Sequence, residues 1–167
     1  MRDERSSPLR ERPEPDSLAA IQHSFEAHPQ AVRLALKQTL ERLVSKLSPE
    51  EAGALELVLA EVCNNIVEHG YANHASGTIA LSIYPEGESL LCTVGDRGNA
   101  LPRRCLDAPD RARPCPEELP EGGFGWFLIR DLVQDLHYCR DGNRNLLVFR
   151  LPLRQGPTAQ VSAPAGR

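Results

Sequence analysis

The chain has 167 residues and a mass of 18.4 kDa, a length that fits one domain with a substantial apolar core. Lys plus Arg number 19 against 23 Asp plus Glu, a formal charge of −4, so the overall field offers no general attraction to nucleic acid or anionic lipid. No apolar run approaches the roughly 18 residues of a bilayer span, and the opening MRDERSSPLRERPEPDS lacks a secretory apolar stretch, so a cytoplasmic protein is expected. Five cysteines (Cys63, Cys92, Cys105, Cys115, Cys139), without a Cys-x-x-Cys pair, argue against a disulfide framework and a zinc knuckle.

Residues 1–16 mix Arg, Glu, Ser and Pro with few apolar side chains, and a segment of that kind cannot bury enough surface to offset its ordering entropy. They are expected to be a disordered tail, as are residues 154–167. Ile21, His23 and Phe25 alternate with polar or small residues and predict a short strand stopped at His28-Pro29. Val32, Leu36, Leu40, Leu43 and Leu47 then follow at helical spacing and predict an amphipathic helix. A second start signal is Ser48-Pro49-Glu50-Glu51: Ser48 caps, Pro49 suits the first helical position, and Glu51 completes a capping box. The helix it opens turns Leu55, Leu59, Val62 and Ile66 inward and is expected to end near Gly70, a good residue for a left-handed terminus.

Gly77 to Tyr84 and Ser89 to Val94 read as a hairpin across Pro85-Glu86-Gly87-Glu88. The stretch 97–121, with Pro102, Pro109, Pro114, Pro116 and Pro120, reads as a long irregular loop, a kind of segment that is usually functional or disordered. Phe127, Leu128, Ile129, Leu132 and Val133 suit a buried helix. A last strand pair, Asp135 to Cys139 and Asn145 to Leu151, flanks Asp141-Gly142-Asn143. Tight turns between the later strands and early clustering of helices predict an α+β fold, a mixed and mainly antiparallel sheet with helices on one face.

Three clusters carry chemistry. On the second helix Glu61 and Asn65 lie four residues apart, hence on one face about 6 Å apart along the axis. Asn65 can offer a neutral oxygen to a hard cation such as magnesium, and Glu61 can take a proton from a hydroxyl; both suit phosphoryl transfer from a magnesium nucleotide. The plain alternative is the wet face of an amphipathic helix. Asp96 stands where a strand leaves the core and Gly98 permits a sharp turn, so the carboxylate could accept a hydrogen bond from an adenine amino group; an ordinary Asp-x-Gly turn is the alternative. Gly122-Gly123-Phe124-Gly125 precedes an apolar helix, whose amides could approach phosphates; a flexible hinge is the alternative. No Walker A sequence is present. Trp126 reads as a packing anchor.

In this order the clusters resemble the ATP-binding domain of the GHKL superfamily, and more specifically bacterial anti-sigma factor serine/threonine kinases of the RsbW and SpoIIAB type. EVCNNIVEHGY (61–71) resembles the family's N box, DRG (96–98) its first glycine box and GGFGWFLIR (122–130) its second. The resemblance covers about residues 17–153 and implies a two-layer α/β sandwich binding ATP and Mg2+. It implies that Glu61 is the general base, Asn65 the magnesium ligand and Asp96 the adenine anchor, that Gly98 shapes the adenine pocket, and that Gly123, Phe124 and Gly125 flank the triphosphate beneath a lid formed by the preceding loop. It further implies a homodimer that binds a sigma factor or similar regulator and phosphorylates an anti-anti-sigma protein of the STAS fold, with no direct nucleic-acid or membrane contact. The single-domain length, without a histidine phosphoacceptor domain, favours the anti-sigma branch over a sensor kinase. One departure is Ala100, where the family's first glycine box often carries its last glycine. An ATP-responsive binding module with weak catalysis is the alternative function.

Overall fold

In the computed structural model, residues 20–72, 77–101 and 124–153 are described. The expected tails, Cys105, Cys115 and most of the 97–121 loop lie outside them. The elements run β1 (Ile21–Glu26), α1 (Pro29–Leu43), α2 (Pro49–Asn65), a π-helical turn (Ile66–Gly70), β2 (Thr78–Glu86), β3 (Ser89–Asp96), α3 (Phe124–Leu132), β4 (Gln134–Asp141) and β5 (Arg144–Pro152). The strands form one sheet in the order β1-β2-β3-β5-β4, and every neighbouring pair is antiparallel. The fold is α+β, one sheet with its helices packed on one face, as the element order predicts.

Period-two burial separates the sheet's faces. Ile79, Leu81 and Ile83 of β2, Leu90, Cys92 and Val94 of β3, and Leu147, Phe149 and Leu151 of β5 are all buried, while the intervening residues are half-buried or exposed. Val32, Leu36 and Leu43 of α1 and Leu55, Val58, Leu59 and Val62 of α2 close the core from the other side. Trp126 and Ile129 of α3 join it, so Trp126 is the packing anchor expected, whereas Leu128 is exposed. Burial pushes the Cys63 and Cys92 thiols up to about 12, which keeps them as inert core residues.

Two turns are tighter than their sequences suggest. The β2–β3 turn is Gly87-Glu88 alone, with Gly87 at φ +57°. The strand runs through Pro85 and Glu86, which pair with Leu90 and Ser89. Pro85 is tolerated because β1 begins opposite Ile83, with Ile21, so a missing N–H on that side costs no ladder bond. Likewise Gly142, at φ +58°, turns β4 into β5.

Helix α2 carries the predicted capping box in full. The Glu51 backbone N–H donates to Ser48 Oγ at 3.2 Å, and the Ser48 N–H donates to Glu51 Oε2 at 2.8 Å. Pro49 occupies the first turn. The α-helix does not continue to Gly70. After Asn65 it widens into the π turn, where the Tyr71 N–H reaches back five residues to the Ile66 carbonyl at 3.0 Å. Among the described residues no helix is long and apolar enough to cross a membrane.

Because Ser48 Oγ accepts one of the two reciprocal bonds of the cap, Ser48→Ala is expected to lower the unfolding free energy by about 1 kcal/mol, read as a shift of the urea midpoint with an unchanged slope.

Candidate nucleotide site

The site forms where α2, the π turn, the end of β3 and the start of α3 meet. Glu61 and Asn65 are both half-buried on one face of α2. The Asn65 side-chain N–H donates to the Glu61 backbone carbonyl at 2.7 Å. That bond fixes the amide's orientation and leaves Asn65 Oδ1 as an acceptor without a partner among the described residues. The Glu61 carboxylate lies against the first turn of α3: a Cβ built on Gly125 would stand 2.2 Å from Glu61 Oε2. Gly125 is therefore the residue that lets this carboxylate occupy the helix N-terminus, where the backbone dipole favours negative charge. Gly123 and the Phe124 side chain lie outside the described residues.

Asp96 is the last residue of β3 and keeps the inward parity of Val94, Cys92 and Leu90. Its Oδ1 accepts from the Gly98 N–H at 2.7 Å and from Asn145 Nδ2 at 2.9 Å. The Asp-x-Gly turn is thus formed by the carboxylate itself, a local side-chain to backbone closure. Gly98 is required here for closeness of approach, since a Cβ on it would fall 2.6 Å from the carbonyl carbon and oxygen of Gly70. The contact is completed by the Asn99 N–H, which donates to Gly70 O at 2.7 Å. Tyr71 adds a second tie, its hydroxyl accepting from the Arg97 N–H at 2.9 Å.

Sequence reasoning missed Tyr71, Tyr138, Arg140 and Asn145 as parts of the site. Asn145 is buried and sits at the centre. Its Nδ2 also donates to the Gly98 and Asn99 carbonyls at 3.2 and 3.1 Å. Its Oδ1 accepts from the Tyr138 hydroxyl at 2.7 Å and from Arg140. Tyr138 Oη in turn accepts from the Leu101 N–H at 3.1 Å, and Arg140 Nη1 donates to Gly98 O at 3.0 Å. One signal in the sequence points there: Asn145 shares the alternation of Leu147, Phe149 and Leu151, so a polar side chain faces the core.

Val62, Ile66, Leu101, Trp126, Tyr138 and Leu147 enclose a small cavity beside Asp96 and Asn145. Its volume of about 10 Å³ is close to the room one water needs. The arrangement joins an apolar chamber with a carboxylate acceptor to a carboxylate and amide pair at a helix N-terminus. Among the described residues no three His, Cys, Asp or Glu side chains converge on a cation position. A hard cation here would be held by Asn65 Oδ1 together with ligand oxygens, the usual arrangement for magnesium.

The histidine kinase-like ATPase domain model matches residues 13–151. The chain belongs to this family. Within the histidine kinase-like ATPase domain, the described residues of the three clusters meet in two contacts, Gly125 against Glu61 and Gly98 against Gly70. The chain is 31% identical over 131 residues to blue-light-activated histidine kinase 2 of Erythrobacter litoralis, covering 75% of this chain and 35% of that protein. It is 24% identical over 112 residues to the anti-sigma F factor of Anoxybacillus flavithermus, covering 66% of this chain and 76% of that protein. Against the serine-protein kinase RsbW of Halalkalibacterium halodurans the identity is 31% over 91 residues, covering 52% of this chain and 54% of that protein. The chain therefore spans about a third of the histidine kinase and about half of this RsbW.

The close passage of Gly98 over Gly70 makes a contrast between two glycines. Gly98→Ala is expected to lose about 1–3 kcal/mol, as overpacking against rigid backbone does. Gly53→Ala, on the exposed face of α2 with no atom within 4 Å of its new Cβ, is expected to gain about 0.5–1 kcal/mol. Melting temperatures moving in opposite directions are the readout.

Proposed function

We propose that this chain is an anti-sigma-factor-type serine/threonine protein kinase, which binds Mg-ATP and phosphorylates a STAS-domain anti-anti-sigma protein. The observation that carries this reading is the pairing of Glu61 with Asn65. One turn of α2 holds a carboxylate at the N-terminus of α3 beside an amide oxygen that is free to meet a cation. A domain that only held nucleotide would have no use for a proton acceptor there.

Asp96 is the adenine anchor in this reading, and its apolar walls suit a purine. Gly98 sets the turn beneath the base, and Gly123, Phe124 and Gly125 flank the triphosphate at the start of α3. Asn65 together with phosphate oxygens would hold magnesium, which would supply charge neutralisation at the transferred group. Glu61 accepts the proton of the attacking serine or threonine hydroxyl as its oxygen bonds to the γ-phosphorus, and ADP leaves with the electrons of the broken bridging bond. The choice of a hydroxyl acceptor is supported by the relative named serine-protein kinase, and the sigma-factor partner by the relative named anti-sigma F factor. A homodimer in the cytoplasm that switches between a sigma factor and its STAS antagonist completes the proposal.

A second reading, an ATP-responsive binding module with weak catalysis, is favoured by one observation. The apolar cavity beside Asp96 has the room of a single water, although Asp96 also borders an open recess of about 790 Å³ with Tyr71, Thr78 and Asn145, and Ala100 follows where greater backbone freedom would help the cavity widen. Labelled ATP with a cognate STAS protein separates the readings. Glu61→Ala is expected to reduce phosphate transfer by at least about a hundredfold while ATP affinity, measured by calorimetry, stays within about threefold. The phosphate should be acid-stable, as on a hydroxyl; an acid-labile product on histidine, or undiminished transfer by the variant, rejects the proposal.

A further inference from the structure

We infer that Asn145 is a positioning residue that fixes the Asp96 carboxylate and so sets which purine the site accepts. The inference rests on the reading of Asp96 as the base anchor and adds to it the origin of base selectivity.

Asp96 lies at a strand end, and a carboxylate free to rotate there would present either oxygen in many directions. Asn145 removes that freedom. The register of β3 against β5 sets Asp96 directly opposite Asn145, and both face the helix layer. The Asn145 amide can point only one way, since its Nδ2 meets three acceptors, Asp96 Oδ1, Gly98 O and Asn99 O. Its Oδ1 meets two donors, Tyr138 and Arg140. A flipped amide would set an oxygen against a carboxylate and two carbonyls.

The consequence falls on the other carboxylate oxygen. With Oδ1 taken by Gly98 N and Asn145 Nδ2, Oδ2 has no partner among the described residues, and Asp96 borders the apolar cavity. A carboxylate oxygen held there accepts a hydrogen bond from a 6-amino group and repels a 6-oxo group. The amine of adenine therefore fits, and the carbonyl of hypoxanthine does not. Hypoxanthine has its own donor, N1–H, one position along the same edge, so the discrimination draws its strength from the fixed place of the acceptor, which meets the 6-position and not N1.

Asn145→Asp keeps the side-chain shape and both bonds from Tyr138 and Arg140. It replaces the donors facing Asp96 with an acceptor, which turns the Asp96 carboxylate away. The test is calorimetric titration of the full chain with Mg-ATP and Mg-ITP, read as the ratio of the two affinities, which lost protein does not alter. The unsubstituted chain is expected to favour ATP by about tenfold or more, the range of one hydrogen bond to a charged group, and Asn145→Asp to bring the ratio near one. Tyr138→Phe, which removes one hydroxyl and keeps the ring, is expected to lower the ratio partway, and serves as the deciding variant should Asn145→Asp not fold by circular dichroism. Selectivity in the unsubstituted chain that survives in the folded variants overturns the role of Asn145 alone. Equal affinities, or no binding, in the unsubstituted chain overturn the reading of Asp96 and this inference with it.

Discussion

The antiparallel register of β3 against β5 is the constraint on which the rest of the site depends. Leu90 faces Leu151, Cys92 faces Phe149 and Val94 faces Leu147, a ladder of apolar pairs on the inner face. The next pair on that face is Asp96 with Asn145. The same alternation that builds the core thus delivers a carboxylate and its amide partner at the core's end. A slip of one residue would turn every one of these side chains to the other face, so burial of the ladder also fixes the polar pair. Each buried Leu or Phe contributes about 1.5–3 kcal/mol to that choice, and the ladder as a whole far more than the hydrogen bond between Asn145 and Asp96 could enforce alone.

A second constraint ties the helix layer to this strand end. The α-helix ladder of α2 gives way after Asn65 to the π turn, which carries Gly70 to the point where Gly98 crosses it without a side chain on either residue. Two further ties, Asn99 N–H to Gly70 O and Arg97 N–H to Tyr71 Oη, lock the crossing. The residues assigned to phosphate chemistry and to the base thus sit on separate elements held by backbone contact. Wide turns of this kind are frequent at functional sites because they place backbone where a regular helix cannot.

Much of this arrangement is legible along the chain because its causes are local. The Ser48 and Glu51 capping box, the inward stripe of α2 and the i, i+4 relation of Glu61 and Asn65 involve neighbours within a turn or two, and each is present as expected. The two hairpins are legible too, though Pro85 misleads: its meaning depends on where β1 begins, which β2 alone does not carry. The π turn has no periodic signature, since one extra residue in one turn leaves the apolar stripe intact. Asn145 is separated from Asp96 by 49 positions, and Tyr138 and Arg140 matter only through it. Such residues are invisible to spacing rules because the sheet, rather than the sequence, makes them neighbours.

On the proposed reading of Asp96 as the base anchor, the narrow cavity beside it sets a cost on base binding that can be weighed. Were a purine to enter through this cavity, Leu101 would leave the wall it shares with Trp126, and its N–H would leave Tyr138. Leu101 is half-buried, so exposing it costs about 1 kcal/mol, roughly half the value for a fully buried Leu, and one neutral hydrogen bond costs about 1 kcal/mol. A micromolar ligand supplies about 8 kcal/mol net of such costs, so opening would weaken the affinity of a pre-opened site by about one to two orders of magnitude without abolishing binding. The cost falls on the base end alone. Glu61 and Asn65 are held by helix geometry that opening leaves untouched, so the chemistry assigned to them stays assembled while the turn at Asp96 admits the base.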